Sequence, residues 1–259
     1  MTAHPEAAPL VLLSVAGGVA TVTLNRPARL NALLPQTFAE LRAHLDALTS
    51  RSDVTCLVLT GSGRSFCAGL DLDAIDPDVD PDVEPAGHEA AETIDLLESF
   101  PFPTIAKIAG HCLTGGLELA LACDLLVCAD DASFGDTHGR WGLVPAWGLS
   151  VRLPERVGRS RARELSFTGR IVAGSAAAAI GLADRSVPPD QLDDAVAELA
   201  GEIASGSRDS NRIYKSLYAE RGSTERTRAL AFERSLPYGL PADLRARLAP
   251  RTGEPPTGS

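Results

Sequence analysis

One carboxylate lies inside an almost unbroken apolar run. The run, CLTGGLELALACDLLVCA, extends from residue 112 to 129 and places Glu118 shortly after the Gly115-Gly116 step. A helix of this sequence is apolar on every face, so the Glu118 side chain would be buried. Burial disfavours the ionised carboxylate and raises its pKa. Glu118 is therefore a candidate general acid or base.

The two glycines predict a site for negative charge beside that carboxylate. The N–H groups in the first turn of a helix have no intrahelical acceptor, and Gly115 and Gly116 leave them open to a ligand. Alternatively, Glu118 is an ordinary first-turn acid favoured by the helix dipole, with Gly115 as the N-cap. A membrane span is disfavoured, since each of the two acids in the run costs about 2.5–3.5 kcal/mol in a bilayer.

The composition fits a globular protein with a sizeable core. Hydrophobic residues make up 44% of the 259 residues, and the formal net charge is −10. This charge provides no overall attraction to nucleic acid or an anionic membrane. The five cysteines lack metal-ligand spacing, so we expect reduced thiols and no metal site. The N-terminal residues show no secretory signal, which predicts a cytoplasmic protein.

Strands and helices alternate in the first part of the chain. A β-hairpin is predicted from two strands, 10–15 and 19–24, around Gly17-Gly18. The pattern then predicts a helix at 35–49, a strand at 54–60, a helix at 88–99, a strand at 104–108, the Glu118 helix and a strand at 124–128. This alternation indicates right-handed crossovers and a mostly parallel sheet.

Helical patterns dominate from about residue 146. They cover 146–153, 158–166, 175–180, 190–204, 208–221 and 224–236. The acid-rich and proline-rich segment 71–87 is expected to be a solvated loop, either a surface insertion or a lid over the site. The tail PRTGEPPTGS is expected to be disordered.

Four segments in this order resemble the enoyl-CoA hydratase/isomerase family, the crotonase superfamily. They are TVTLNRPARLNAL (21–33), VLTGSGRSFCAGLDL (58–72), AGHCLTGGLELALACDLLVCADDASFG (109–135) and WGLVPAWGLSVRLPERVG (141–158). The resemblance implies an α/β fold: a crotonase-like spiral of ββα units over residues 1–200, and a C-terminal helical trimerisation region over 201–259. It also implies a homotrimer or hexamer, with an acyl-CoA thioester as substrate and no separate cofactor.

The same resemblance implies roles for individual residues. The Leu70 and Gly115 N–H groups would form an oxyanion hole that stabilises an enolate as charge develops. The residues implied in binding the CoA thioester are Ala28, Leu30, Ala68, Asp71, Leu72, Leu113 and Gly116. Arg26, Arg29 and Arg64 either meet the CoA phosphates or are ordinary exposed arginines.

The second catalytic position departs from the family pattern. Family hydratases carry two glutamates; Glu118 matches the first, whereas His138 takes the place of the second in FGDTHGRWG (134–142). Histidine, with an ordinary pKa near 6.5, can transfer protons at neutral pH, and it can equally be a satisfied wall residue. Asp136 either orients His138 or acts itself, although the sequence favours an ordinary loop aspartate.

We predict hydration of a 2-enoyl-CoA, in which Glu118 positions and deprotonates water and His138, or a water that it holds, delivers the α-proton. The alternatives are isomerisation, decarboxylation or carbon–carbon cleavage with the same oxyanion hole, or a non-catalytic acyl-CoA-binding protein. Three aromatic residues, Trp141, Trp147 and Phe134, either line the acyl pocket or fill the core. The C-terminal segment lacks the Phe and Lys that often close the CoA site in relatives, so adenine contacts from a neighbouring subunit stay open.

Overall fold

A computed structural model describes residues 8–74, 88–220, 223–235 and 239. The strands are β1 (Val11–Ala16), β2 (Val19–Leu24), β3 (Cys56–Gly61), β4 (Thr104–Ile108), β5 (His111–Leu113), β6 (Leu125–Ala129), β7 (Ser133–Gly135), β8 (Val172–Ala173) and β9 (Arg185–Val187). The helices are α1 (Pro35–Thr49), α2 (His88–Glu98), α3 (Gly115–Leu121), α4 (Leu149–Thr168), α5 (Gly174–Ala179), α6 (Leu192–Ser205), α7 (Arg208–Glu220) and α8 (Ser223–Arg234). The loop predicted over 71–87 lies outside the described residues from 75 onward, and so does the predicted tail.

The main sheet has the order β1-β2-β3-β4-β6-β9. The predicted hairpin is confirmed, because β1 and β2 pair antiparallel around Gly17 and Gly18, which both have positive φ (57° and 82°). Glycine adopts this backbone region without the steric cost that other residues incur. The other pairings in this sheet are parallel, as the alternating pattern predicted.

Four short strands were not predicted. β5, β7 and β8 form a second, three-stranded sheet, and β9 adds the last strand of the main sheet. β8 and β9 lie beyond residue 146, where helical patterns dominate the sequence. Each of the four is two or three residues long, which is too short to show the alternation that identifies a strand.

The helix predicted at 35–49 buries the face expected from its spacing. In α1 the side chains of Phe38, Leu41, Leu45 and Leu48 are buried, and α1 and α6 both pack against the main sheet. The first two of the helical segments predicted from about residue 146, 146–153 and 158–166, join in α4, which is broken at Gly158 (φ 76°, ψ 158°). Within the described residues, no helix is long and apolar enough to cross a membrane.

Candidate active site

Glu118 lies in the first turn of α3, and every residue of this helix is buried. The N-cap is Thr114, not Gly115. The Glu118 carboxylate is only 1% exposed, and its Oε1 accepts hydrogen bonds from the N–H groups of Trp147 (2.9 Å) and Leu149 (3.2 Å). Glu118 is thus held by the start of α4, so it is more than an ordinary acid of its own first turn.

Burial sets the ionisation of this carboxylate. Burial raises the pKa of Glu118 from 4.5 to about 7, against the opposing effects of the His138 charge and of the hydrogen bonds from Trp147 and Leu149. A carboxylate that titrates near neutral pH can both take up and release a proton under physiological conditions.

His138 begins a short 3-10 turn, His138–Arg140, that follows β7. Its Nδ1 lies 2.7 Å from Asp136 Oδ1, and its Nε2 lies 3.6 Å from Glu118 Oε2. Asp136 is 3% exposed and also accepts the His138 backbone N–H (3.3 Å). The sequence favoured an ordinary loop aspartate here, which is wrong, because Asp136 is buried against the imidazole and fixes its orientation.

The positive charge of protonated His138 and the negative charges of Asp136 and Glu118 stabilise one another. Burial alone would lower the pKa of His138, but the Asp136 hydrogen bond and the charges of Glu118 and Asp136 raise it above its usual value. The pKa of Asp136 is lowered, because its interactions with His138 outweigh burial. The imidazole Nδ1 therefore donates to an ionised Asp136, and its Nε2 faces Glu118.

Two backbone N–H groups point toward the same region. The backbone of Leu33 is hydrogen-bonded to the residues on both sides of Leu70. The Leu33 N–H donates to the Gly69 carbonyl oxygen (2.8 Å), and the Leu33 carbonyl oxygen accepts the Asp71 N–H (2.9 Å). Gly115 is the first residue of α3. Within the described residues, neither the Leu70 N–H nor the Gly115 N–H has a hydrogen-bond acceptor, so both are open to an anionic oxygen.

The glycines of the α3 start are required by packing as well. A Cβ at Gly115 would collide with the Trp147 ring, and one at Gly116 would collide with the carbonyl oxygen of Cys67. The sequence interpretation gave them roles in ligand access or helix capping, not in packing. Their absent side chains also allow α3 to approach the Cys67 segment and the Trp147 ring.

A cavity of about 540 Å³ joins these groups. Among the predicted site residues, it is lined by Ala68, Leu70, Asp71, Leu72, Leu113, Gly115, Glu118 and His138. Ala28, Leu30 and Gly116 are not in its lining. Trp141 and Trp147 line the cavity, whereas Phe134 is buried in the core.

The enoyl-CoA hydratase/isomerase family model matches residues 14–248 of this chain. The chain belongs to this family. The crotonyl-CoA hydratase of Syntrophomonas wolfei is 32% identical over 224 residues, which cover 86% of each chain. The crystal structure of an enoyl-CoA hydratase from Mycobacterium avium is 35% identical, with a TM-score of 0.75 over 87% of this chain and 94% of that one. An enoyl-CoA hydratase structure from Bacillus anthracis gives 30% identity and a TM-score of 0.78 over 86% and 90%. The crotonase-type α/β fold inferred from the sequence is thereby confirmed.

Two of the three arginines proposed for the CoA phosphates have carboxylate partners in this family member. Arg26 Nη1 lies 2.5 Å from Asp71 Oδ2, and Arg29 Nη2 lies 2.6 Å from Asp73 Oδ2. Arg26 also donates to the Ala32 carbonyl (3.2 Å). Arg26 therefore ties the segment after β2 to the segment that carries Leu70, in addition to any contact with substrate.

Sequence reasoning missed one charged residue next to this enoyl-CoA hydratase/isomerase site. Glu233, on α8, is buried, and its charge contributes to the raised pKa of both Glu118 and His138. Glu233 is remote in sequence from the other site residues and belongs to no motif. No signal in the sequence alone could have connected it to Glu118.

Proposed function

We propose that this protein hydrates 2-enoyl-CoA thioesters to 3-hydroxyacyl-CoA, and that it is therefore a lyase. One observation carries the proposal: Glu118 Oε2 and His138 Nε2 lie 3.6 Å apart at a cavity that Leu70 and Gly115 also line. The names of the relatives, enoyl-CoA hydratase and crotonyl-CoA hydratase, support the same reaction.

The thioester oxygen would bind between the N–H groups of Leu70 and Gly115. Addition of oxygen at the β-carbon moves negative charge onto the thioester oxygen, and two fixed donors stabilise the resulting enolate. Removal of one donor of this kind typically lowers the rate by about 10²–10³. Coenzyme A enters as part of the substrate, so no separate cofactor is proposed. Its adenine would lie near Ala68, and its pantetheine would pass Leu70 and Leu72 beside the segment of Ala28 and Leu30. The thioester end would pass Leu113.

Glu118 and His138 would then divide the two proton transfers. The ionised Glu118 removes a proton from water as the water oxygen bonds to the β-carbon, and the imidazolium Nε2 of His138 donates its proton to the α-carbon of the enolate. The thioester carbonyl re-forms, and water has been added across the double bond. After turnover Glu118 is protonated and His138 is neutral. Proton return from Glu118 to His138, whose pKa is raised by Asp136, restores the starting state.

Loss of the enoyl-thioester absorbance tests this proposal. Crotonyl-CoA and longer 2-enoyl-CoAs are mixed with the wild-type protein and with Glu118→Gln, and 3-hydroxyacyl-CoA is identified by mass. We expect the Gln variant to lose at least about 10²-fold in kcat, because an amide cannot accept the proton from water. Glu92→Gln, at an exposed position on α2, is the matched control and should retain full activity.

Binding of butyryl-CoA, which has no double bond, separates the alternatives. Wild-type protein that binds butyryl-CoA but leaves 2-enoyl-CoA unchanged would contradict hydration. In that case, a product other than 3-hydroxyacyl-CoA would identify isomerisation, decarboxylation or carbon–carbon cleavage. The absence of any product would identify a non-catalytic acyl-CoA-binding protein.

We also propose that the protein is a cytoplasmic homotrimer or hexamer that binds neither nucleic acid nor membranes. The net charge of −10 supports the last point. Exposed apolar side chains on α7 support association between copies; they are Ile213, Tyr214, Leu217 and Tyr218.

A further inference from the structure

Glu233, on the C-terminal helix α8, binds the start of α4. Its Oε1 accepts the N–H of Gly148 (2.5 Å), and its Oε2 accepts the N–H of Ser150 (2.7 Å). The first N–H groups of a helix lack intrahelical acceptors and carry the positive end of the helix dipole, so a carboxylate is well suited to this position.

Glu118 uses the alternate N–H groups of the same segment. Trp147 and Leu149 donate to Glu118 Oε1, whereas Gly148 and Ser150 donate to Glu233. Four consecutive N–H groups, 147–150, are thus shared by two buried carboxylates from α3 and α8. A displacement of this segment changes the hydrogen bonds of both carboxylates together.

The buried guanidinium of Arg152 binds a backbone carbonyl oxygen of the same segment. Arg152 is 2% exposed, donates to the Trp147 carbonyl oxygen (2.5 Å), and pairs with Asp95 (2.9 Å) and Glu98 (2.8 Å) on α2. Arg234, next to Glu233 on α8, also pairs with Asp95 (2.6 Å). The segment 147–150 is therefore held jointly by α2, α4 and α8.

We propose that Glu233 is a positioning residue for Glu118. By holding the Gly148 and Ser150 N–H groups, Glu233 fixes the neighbouring N–H groups of Trp147 and Leu149, which orient the Glu118 carboxylate toward the cavity. Turnover then depends on the docking of α8 in addition to the groups that touch substrate. This inference rests on the hydration proposed above for the role of Glu118, while the positioning itself can be tested without substrate.

The charge of Glu233 gives its contact with the site a measurable signature. Its negative charge raises the pKa of Glu118 and of His138, so loss of that charge should lower both. The charged groups that interact with Glu233 or are ion-paired around the segment it binds are Glu118 on α3, Arg152 and Glu155 on α4, Asp95 and Glu98 on α2, Arg226 and Arg234 on α8, and His138 in the 3-10 turn. These groups are unchanged in the variants below.

The experiment compares Glu233→Gln, Glu233→Asp and Glu225→Gln in the full chain. A Gln amide has one acceptor oxygen, so one of the two N–H bonds is lost. We expect kcat to fall about tenfold, the order associated with one hydrogen bond to a charged group, while KM changes by less than about twofold. Both limbs of the kcat pH profile should move to lower pH. Glu233→Asp retains the charge and should keep the wild-type midpoints, and Glu225→Gln, an exposed change on α8, should match wild type throughout.

Carbon-13 NMR of the Glu118 carboxyl group, assigned with Glu118→Gln, supplies the readout without substrate. Loss of the Glu233 charge alone lowers the Glu118 midpoint, so positioning is read from the amide resonances of Trp147 and Leu149, which donate to Glu118. Displacement of these two resonances in Glu233→Gln supports positioning, even if wild type hydrates no 2-enoyl-CoA and the proposed function fails, and unchanged resonances contradict it. An unchanged midpoint with wild-type kcat, or a raised KM at constant kcat, would overturn it. Circular dichroism measures the folded fraction, and a kcat loss fully explained by unfolded protein in both Glu233 variants also counts against the proposal.

Discussion

The imidazole of His138 lies between two carboxylates, Asp136 and Glu118, whose pKa values are shifted in opposite directions. Burial raises the pKa of Glu118 to about 7, whereas the hydrogen bond and charge of His138 keep the pKa of Asp136 below its usual value. Asp136 is thus a fixed anion, and Glu118 can change its protonation near neutral pH. This difference separates a group that orients His138 from a group that exchanges protons.

Replacing Asp136 tests this division at the residue scale. Asp136→Asn removes a charge that raises the pKa of His138, so the imidazolium should lose its proton at lower pH. If His138 is the acid that protonates the α-carbon, the alkaline limb of the kcat profile moves to lower pH, and kcat at neutral pH falls by about 10². Stopped-flow or steady-state rates from pH 5 to 9, a range chosen to span an ordinary histidine pKa of about 6.5, provide the measurement.

Asp46→Asn, an exposed change on α1, is the matched control for Asp136→Asn. It removes the same charge at a distance from the cavity and should leave the profile unchanged. An alkaline limb that stays in place in Asp136→Asn would remove His138 from the acid role, and Glu118 would then have to supply both proton transfers.

The start of α3 combines two requirements in one short element. Gly115 provides an N–H without a protein acceptor among the described residues, and its missing side chain makes room for the Trp147 ring. Trp147 in turn donates its N–H to Glu118. A change at Gly115 therefore reaches the proposed oxyanion hole and the orientation of the carboxylate at once.

Gly115→Ala should lower kcat by about 10²–10³ with 2-enoyl-CoA substrates, as expected when an oxyanion donor is displaced. Gly201→Ala, in α6, is a matched control because nothing lies within 4 Å of an added Cβ there. That control should retain full activity and gain up to about 1 kcal/mol of stability from helix propensity. A Gly115→Ala protein with wild-type kcat would show that this N–H does not bind the reacting oxygen.

At the scale of helices and strands, the sequence predicted the elements whose hydrophobic patterns extend over many residues. The hairpin, the parallel order of the main sheet and the buried face of α1 follow from spacing, and the apolar run places Glu118 in a buried helix. The contacts that orient the site do not follow from spacing. The N–H groups of 147–150 carry no side-chain signature, and Glu233 meets them only because α8 folds back onto α4. Such long-range backbone contacts are set by tertiary packing, which local periodicity does not encode.

In the whole molecule, the groups of the site come from segments far apart in the chain. Leu70, Glu118, His138 and Glu233 are brought together by the sheets, by α3 and α4, and by α8. Immediately before α8, helix α7 leaves Ile213, Tyr214, Leu217 and Tyr218 exposed on one side. Apolar side chains clustered in this way on a surface helix favour burial against another protein surface.

If α7 contributes to the proposed trimer, one charge on this face should dissociate it. Leu217 is 60% exposed in the single chain, and Leu217→Glu would bury an unpaired carboxylate between copies, at a cost of several kcal/mol. Light scattering should show three or six times the single-chain mass for wild type and the single-chain mass for Leu217→Glu. Ala219→Glu adds the same charge on the opposite side of α7, where helical spacing places it away from Leu217, and should keep the assembly. Equal masses for wild type and Leu217→Glu would exclude this face as the contact, and a wild-type protein that is already monomeric would contradict the trimer itself.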